Sequence, residues 1–454
     1  MRRLFGTNGV RGITNEKLTP ELALQLGKAI GTFFGPGSKV LVGRDARSGG
    51  EMLLRALESG LLGTGAIVYE AGKLPTPALQ YATKGGEYAC CVIVTASHNP
   101  PEFNGIKVID SDGIELDESK EMQIEEIYFS GKFSLEKWHG LVHDIKKKNN
   151  IIPEYIASIS RLVDKNTISK RRPLVLIDGC GSVGSLATPK IASMIGCEVR
   201  EINTKLDPRF RSRDPEPTSE NLKNTAEKVL EIGADFGVAH DGDADRAIFI
   251  DSSGRVQMGD RSGALLAAWA AGKNARSPRV VYTPFSSSAV VEEHLRPLGI
   301  KVEFTKIGSI YVSRSLLKNG GIAGVEDTGG FIYPIHQYVR DGPMSLALMA
   351  DLFSHNNATS AEMFDRLPRY YTEKTKIPLQ NINFAPLLER MKEKYGGAGR
   401  IEMIEERGFK FTGKSFWFIV RESGTEPVLR IGVESKDADI TKAKMEELKR
   451  FIGQ

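Results

Sequence analysis

The sequence predicts an α/β protein built from three related α/β units with mixed sheets, followed by a smaller α+β domain. Three observations lead there. Short apolar runs alternate with helical patterns through most of the chain. The same order of elements recurs three times. Past about Thr372 the pattern changes to aromatic and β-branched strands separated by tight turns.

Each unit opens on a strand: Lys39–Gly43, Pro173–Ile177 and Arg279–Thr283. A Gly- or Ser-rich turn and a helical pattern follow, and then a second strand at Ala66–Tyr69, Glu198–Ile202 and Lys301–Thr305. After another helix comes a third strand at Cys90–Val94, Phe236–Ala239 and Gly321–Gly324. Two units continue into a hairpin with a Gly turn, Ile106–Ile109 before Gly113 and Ala247–Ile250 before Gly254. Lys146–Asn150 reads as a solvated, charged linker. The last segment reads as a helix Phe384–Tyr395, strands Gly408–Thr412, Ser415–Val420 and Val428–Val433, and a helix from Asp437. The expected domains are 1–150, 151–254, 255–371 and 372–454.

Composition sets the class. The chain has 454 residues, too many for one ordinary core, and 41% apolar with 26% charged residues is globular usage. A net charge of +4 gives no case for nucleic acid and suits small anionic substrates weakly. Cys90, Cys91, Cys180 and Cys197 form no CxxC pair, which argues against a zinc site or a disulfide framework. Met1-Arg-Arg-Leu-Phe-Gly leads into no apolar stretch, and Ala264–Ala271 is far short of a membrane span. The expectation is a cytoplasmic protein with no membrane or nucleic-acid partner; a homodimer is compatible with it.

The residues after each third strand are chemically unusual: Thr95-Ala-Ser-His-Asn-Pro100, Asp241-Gly-Asp-Ala-Asp-Arg246 and Val325-Glu-Asp-Thr-Gly-Gly330. Ligands bind at the carboxyl ends of strands in open α/β sheets, so three equivalent loops with different polar sets suggest one composite site. In the first, a hydroxyl and an imidazole sit side by side before Asn-Pro breaks regular structure. In the second, three close carboxylates call for a hard divalent cation, and magnesium suits them. EF-hand calcium does not, because Arg246 and Ser252 stand where Gly and Glu are needed. A fourth loop, Arg421-Glu-Ser-Gly-Thr-Glu-Pro427, joins two strands and has the makings of a phosphate cradle, with Arg430 on the strand beyond. Gly179–Gly184 fits GxGxxG but lacks companion features of hydride chemistry. Gly408–Ser415 has Walker A spacing but runs from strand to strand, so Gly413-Lys414 is a hairpin turn.

These four loops, in this order, resemble the signature loops of the α-D-phosphohexomutase superfamily over the whole chain. The resemblance implies four domains around a central cleft and reversible transfer of a phosphoryl group between the 1- and 6-positions of a hexose. Ser97 would be the phosphoserine, with a hexose 1,6-bisphosphate as intermediate and activator. Asp241, Asp243 and Asp245, with the Ser97 phosphate, would hold Mg²⁺. Lys107 and His98 match acid–base candidates, with Arg11 alongside and Arg246 near the substrate. Glu326 and Thr328 match sugar-hydroxyl ligands, and Lys306 falls in a further substrate loop. Arg421, Ser423, Gly424 and Thr425 match the loop that grips the unreacting phosphate. Thr328 and Gly330 replace the family's usual Ser and His, as in archaeal members. Thr95–Pro100 leans towards phosphomanno/phosphoglucomutases, whereas Phe5–Gly12 and Ser423–Pro427 lean towards phosphoglucosamine mutases. The expected substrates are mannose and glucose phosphates, the alternative is glucosamine phosphate, and broad specificity is a third expectation. Against a mutase stand a dehydrogenase on Gly179–Gly184, a non-catalytic sugar-phosphate binder, and a serine hydrolase, for which no GxSxG elbow exists.

Overall fold

A computed structural model describes residues 4–6, 9–274, 276–379, 384–405, 407–423 and 428–453. The first sheet comprises β1 (Val10–Ile13), β2 (Lys39–Arg44), β3 (Ile67–Lys73), β4 (Cys90–Val94), β5 (Phe103–Asp110) and β6 (Lys146–Lys147), ordered β1-β5-β4-β2-β3-β6. The second comprises β7 (Leu174–Asp178), β8 (Glu198–Ile202), β9 (Phe236–His240), β10 (Ala247–Asp251) and β11 (Val256–Gln257), ordered β11-β10-β9-β7-β8. The third comprises β12 (Val280–Pro284), β13 (Lys301–Thr305), β14 (Ala323–Val325) and β15 (Phe331–Ile332), ordered β13-β12-β14-β15.

The repeat is therefore a topological one. In each sheet the strand that opens the repeat (β2, β7 and β12) is internal and parallel to the next two strands of the repeat, and the third turns into an antiparallel fourth. Every residue of β4 and β9 is buried, as expected for central strands with both faces covered. Because β2, β4, β7 and β9 run parallel within their sheets, their carboxyl ends deliver the polar loops on one side.

Two expectations are corrected. Lys146 and Lys147 pair with Tyr69 and Glu70 as a short edge strand, so the run is more than a linker, although both side chains stay exposed. The third unit also continues antiparallel, Gly324 opposite Ile332.

One hydrophobic cluster runs through all three units. It joins Leu41, Cys91 and Ile93 of the first sheet, Val175, Ile177 and Val238 of the second, and Val281, Ala323 and Val325 of the third. The helix Gly342–Ser354 seals it. Asp341 caps that helix by accepting from the Met344 N–H at 2.9 Å, and its residues from Gly342 to Phe353 are buried. It follows the third sheet in sequence but packs on β10 and on the helices Thr188–Ile195 and Lys165–Arg171 of the second unit.

The C-terminal domain stands on its own core. Its sheet comprises β16 (Tyr371–Pro378), β17 (Gly399–Glu405), β18 (Gly408–Gly413), β19 (Phe416–Glu422) and β20 (Val428–Ser435), antiparallel throughout in the order β16-β20-β19-β18-β17. Helices Phe384–Tyr395 and Ala438–Ile452 cover one face, around Phe409, Phe411, Phe418 and Met391. On the other face Ile404, Trp417 and Ile419 meet Phe285, Ala289 and Ile307 of the third unit. There Lys410 donates to the Phe285 carbonyl at 2.8 Å and lies over the Trp417 ring.

Candidate active site

The loop after β4 turns at Ser97, whose φ of +52° is in the left-handed region that a non-glycine residue adopts only at a cost. Its surroundings hold it there. The Ser97 N–H donates to Thr95 Oγ1 at 2.9 Å, and Thr95 Oγ1 donates to Asp45 Oδ2 at 2.6 Å. Arg47, fully buried, donates to the carbonyls of Ser97 and Asn99 at 2.6 Å each, Pro100 at 2.8 Å and Phe103 at 3.2 Å. Asp45 pairs with its Nε at 3.2 Å, and the Phe210 ring covers the guanidinium at 4.8 Å. Arg11, on β1, donates to Asn99 Oδ1 at 2.5 Å and to the Ala96 carbonyl at 3.2 Å. Burial lowers the Arg11 pKa to about 10, which leaves it charged at neutral pH.

Opposite lies the loop between β9 and β10, with Asp241, Asp243 and Asp245 all buried. Ser97 Oγ donates to Asp241 Oδ2 at 2.7 Å. The two loops touch closely enough that a Cβ at Gly242 would lie 2.4 Å from the Ser97 carbonyl oxygen. Lys107, on β5 beside Ile93, is buried and donates to Asp243 Oδ2 at 2.8 Å; its ammonium is 3.7 Å from Asp245. Thr76 Oγ1 donates to the same Asp243 oxygen at 2.7 Å. The imidazole of His240 receives the Thr188 hydroxyl and, through Nδ1–H, donates to the Arg246 carbonyl at 2.7 Å. Arg213 bridges Asp178 and the His240 carbonyl at 2.8 and 2.6 Å.

Electrostatics fit a cation here. Burial, reinforced by Asp245 and Asp243, pushes the Asp241 carboxyl up to about 8. Burial acts on Asp243 in the same sense, but Lys107 outweighs it and holds that carboxyl well below its usual range. One ligand atom from each aspartate lies within 4.8 Å of the others. Asp243 Oδ1 and Asp245 Oδ1 are buried with no hydrogen-bond partner among the described residues. Carboxylate oxygens this close and unsatisfied could hold a divalent metal. Arg246 supplies part of the opposite charge, 3.9 Å from both Asp241 and Asp245. Its Nη2 also meets His98 Nδ1 at 3.0 Å, and Ser97 Oγ lies 3.3 Å from that nitrogen. Arg246 first, then burial and Arg11, press the His98 pKa well below its ordinary value. The imidazole is therefore neutral, with Nδ1 accepting.

The third loop joins the cluster through a residue the sequence did not single out. Arg340 bridges Asp245 of the metal loop and Glu326, 3.2 Å from the latter. Gly330 is explained by the same guanidinium, because a Cβ there would lie 2.4 Å from Arg340 Cδ and from Glu326 Oε2. Burial raises the Glu326 pKa against the pull of Arg340. Thr328 is half-buried and lines a cavity with Arg246, Asp327, Met258 and the segment Glu216–Ser219.

Ser97, His98, Arg11, Lys107, the three aspartates, Arg246 and Glu326 thus form one connected network. Lys306 stands apart, exposed, with its ammonium 5.7 Å from the Tyr311 ring centre. Arg421 and Ser423 lie at the end of β19 on the C-terminal domain, where Ser423 Oγ accepts from Arg430 Nε at 3.3 Å. Gly424 and Thr425 fall outside the described residues. The GxGxxG segment supports the metal loop from behind, since Ser182 Oγ donates to the Gly242 carbonyl and a Cβ at Gly184 would meet His240 at 3.0 Å. Gly413 ends β18 and turns the chain into β19, as the strand reading of the Walker-like spacing requires. Arg47, Asp45, Thr76, Arg213 and Arg340 escaped the sequence reading. Arg47 and Asp45 had one signal, their place after β2 at the same end of the sheet.

Family models for phosphoglucomutase/phosphomannomutase match the chain in four consecutive parts: α/β/α domain I over residues 2–135, domain II over 153–254, domain III over 258–371 and the C-terminal domain over 379–450. A phosphoglucosamine/phosphogalactosamine mutase from Sulfurisphaera tokodaii is 50% identical over 453 residues, covering 100% of this chain and 99% of that protein. A phosphoglucomutase/phosphomannomutase from Thermococcus kodakarensis is 41% identical, over 98% of this chain and 97% of that protein. Among solved structures, a putative phosphomannomutase from Thermus thermophilus superposes with a TM-score of 0.85 at 24% identity, covering 99% of each chain, a likeness of fold. No described helix is long and apolar enough to cross a membrane. With all four domains and full-length relatives in agreement, the chain belongs to the α-D-phosphohexomutase superfamily of intramolecular phosphotransferases.

Proposed function

We propose that the protein interconverts hexose 1-phosphates and hexose 6-phosphates through a phosphorylated Ser97 and a hexose 1,6-bisphosphate, with Mg²⁺ held by Asp241, Asp243 and Asp245. The observation that carries this reading is the direct contact of Ser97 Oγ with Asp241 inside a buried carboxylate cluster flanked by Lys107, Arg246 and Arg11. Bound there, Mg²⁺ supplies charge neutralisation at the phosphoryl oxygens. The chain's own residues supply position and further charge, which in-line phosphoryl transfer needs more than covalent machinery.

The substrate hydroxyl oxygen forms a bond to phosphorus as the bond from phosphorus to Ser97 Oγ breaks. The hydroxyl proton passes to the neutral His98 imidazole, and the Lys107 ammonium, the other acid–base group at hand, supplies the proton that Ser97 Oγ recovers. The bisphosphate then turns over, and its other phosphate returns to Ser97 by the reverse step. Glu326 and Thr328 hold sugar hydroxyls, and Arg421, Ser423, Gly424 and Thr425 grip the phosphate that is not reacting. Lys306 belongs to a further loop that meets the substrate. The relative at 50% identity favours glucosamine and galactosamine phosphates, and that at 41% favours glucose and mannose phosphates. We infer a site that accepts both sets; turnover of a single sugar among glucose, mannose and glucosamine phosphates overturns that breadth.

The decisive experiment is intact-protein mass before and after incubation with glucose 1,6-bisphosphate and Mg²⁺. The expected result is a gain of one phosphate, about 80 Da, that a Ser97→Ala variant does not show. A folded wild-type protein that carries no phosphate either before or after incubation removes Ser97 from the chemistry.

A further inference from the structure

The third loop carries a charge that the reaction does not need. Asp327 stands between Glu326 and Thr328 and contributes to the wall of the cavity that Thr328 lines, but its charge is bound elsewhere. Its carboxylate is buried and paired with the ammonium of Lys374, which belongs to β16 of the C-terminal domain. Within that sheet Lys374 sits opposite Gly432 of β20, and two rungs along the same ladder Lys376 sits opposite Arg430. Strand β20 begins where the loop of Arg421 and Ser423 ends, and Arg421 pairs with Arg430 across β19 and β20. One ladder therefore leads from the phosphate-binding loop to Lys374, and one ion pair leads from Lys374 into the sugar loop.

The sugar loop is built to pass on a push. The Asp327 carbonyl accepts from the Gly259 N–H at 3.0 Å, Glu326 N–H donates to the Gly330 carbonyl at 2.8 Å, and Gly329 N–H donates to the Glu326 carbonyl at 3.2 Å. A Cβ at Gly259 would come within 2.1 Å of Gly329 N, so the loop has no slack against its helix. The pair also has company. Asp260, whose Oδ2 accepts from the Ser288 N–H at 3.0 Å, and Glu434 both act on the Lys374 ammonium. Glu434 is fixed on both domains, accepting from Ala289 N–H at 2.8 Å and from Trp417 Nε1–H at 2.7 Å.

We propose that the Lys374–Asp327 ion pair is a positioning contact that couples the sugar loop to the phosphate-binding domain, so that gripping the distal phosphate and aligning Glu326 and Thr328 are one event. This rests on the sugar and phosphate roles given above to those loops. Lys374 is a positioning residue, since nothing places it against substrate.

The test is a double-mutant cycle with Lys374→Met and Asp327→Asn in the full-length enzyme, reading kcat and KM for a hexose phosphate, with Glu326→Gln and Lys374→Arg as companions. Each single variant should raise KM about tenfold with kcat changed less than about threefold. The double variant should be no worse than the worse single, a coupling of about tenfold. Lys374→Arg should keep wild-type KM, and Asp327→Asn should melt near wild type because the lysine it leaves alone is half exposed. Losses that multiply, or singles with wild-type KM, overturn the coupling while an impaired Glu326→Gln leaves the sugar-loop reading intact. A Glu326→Gln enzyme with wild-type kinetics overturns both.

Discussion

Replacing Arg47 by Met tests how much of the active site is held by a residue that never meets substrate. The buried guanidinium satisfies four loop carbonyls and the Asp45 carboxylate. Methionine fills similar space and offers no donor. Burial already raises the Asp45 pKa, and Arg47 is its main counterweight, so the variant strands a buried acid as well as the carbonyls. Breaking a buried pair by removing one partner costs about 3–5 kcal/mol, enough to lower the melting temperature by roughly 10 °C. The Ser97 turn also loses its clamp. A displacement of about 1 Å at a nucleophile costs about a hundredfold in rate. Thermal melting and steady-state turnover should therefore both fall, with kcat down about a hundredfold and KM much less affected. The double variant Asp45→Asn/Arg47→Met should melt higher than Arg47→Met, because the stranded carboxylate is gone, without recovering kcat. An Arg47→Met enzyme that melts within about 2 °C of wild type, or turns over at wild-type rate, refutes the argument.

Two further outcomes follow from the charges. Chelation should abolish turnover and Mg²⁺ restore it, while Asp243→Asn should weaken Mg²⁺ binding by more than about a hundredfold, beyond the usual cost of a lost outer-shell partner; titration calorimetry with equal heats for both proteins would contradict the metal assignment. The Asp260 carboxyl, pushed up to about 7 by burial and by Asp327 and Glu434 against the pull of Lys374, should make stability fall as pH rises from about 4 to 7. In that window the folded chain holds a proton that the unfolded chain has released, and the gap between 3.8 and about 7 bounds the loss at about 4 kcal/mol. Urea midpoints of wild type and Asp260→Asn at pH 5 and pH 8 check it, since the variant should gain on wild type at the higher pH; a constant difference would sink the idea.

The three α/β units were legible because their central strands are continuous apolar runs, and a strand buried on both faces has no other way to be written. The strands that escaped notice lack that signature. Exposed side chains line β16 along Tyr-Thr-Glu-Lys-Thr-Lys-Ile-Pro, and β6 is a pair of lysines at a sheet edge. Ser97, His98, the three aspartates, Arg246 and Glu326, which the structure brings together, could be singled out because each of their loops collects its polar side chains within six residues. Arg340 could not, since its partners Asp245 and Glu326 are 95 and 14 residues away. The same holds for Thr76 and Asp243, joined across 167 residues. Contacts of that kind exist only once the sheets are packed, and nothing beside Arg340 or Thr76 in the sequence announces the partner.

The hydrophobic cluster that runs without interruption through the first three units bears on how affinity is spent. The loops of Ser97, of the three aspartates and of Glu326 stand on one shared core. Arg421 and Ser423 stand on a body with a separate interior, joined through a small apolar patch and a few charges. If their loop grips a phosphate as proposed, the binding energy acts on this one joint. On the roles proposed above, a sugar stripped of that phosphate would meet Ser97 and the aspartates in place but would leave the Glu326 loop without its pull from Lys374.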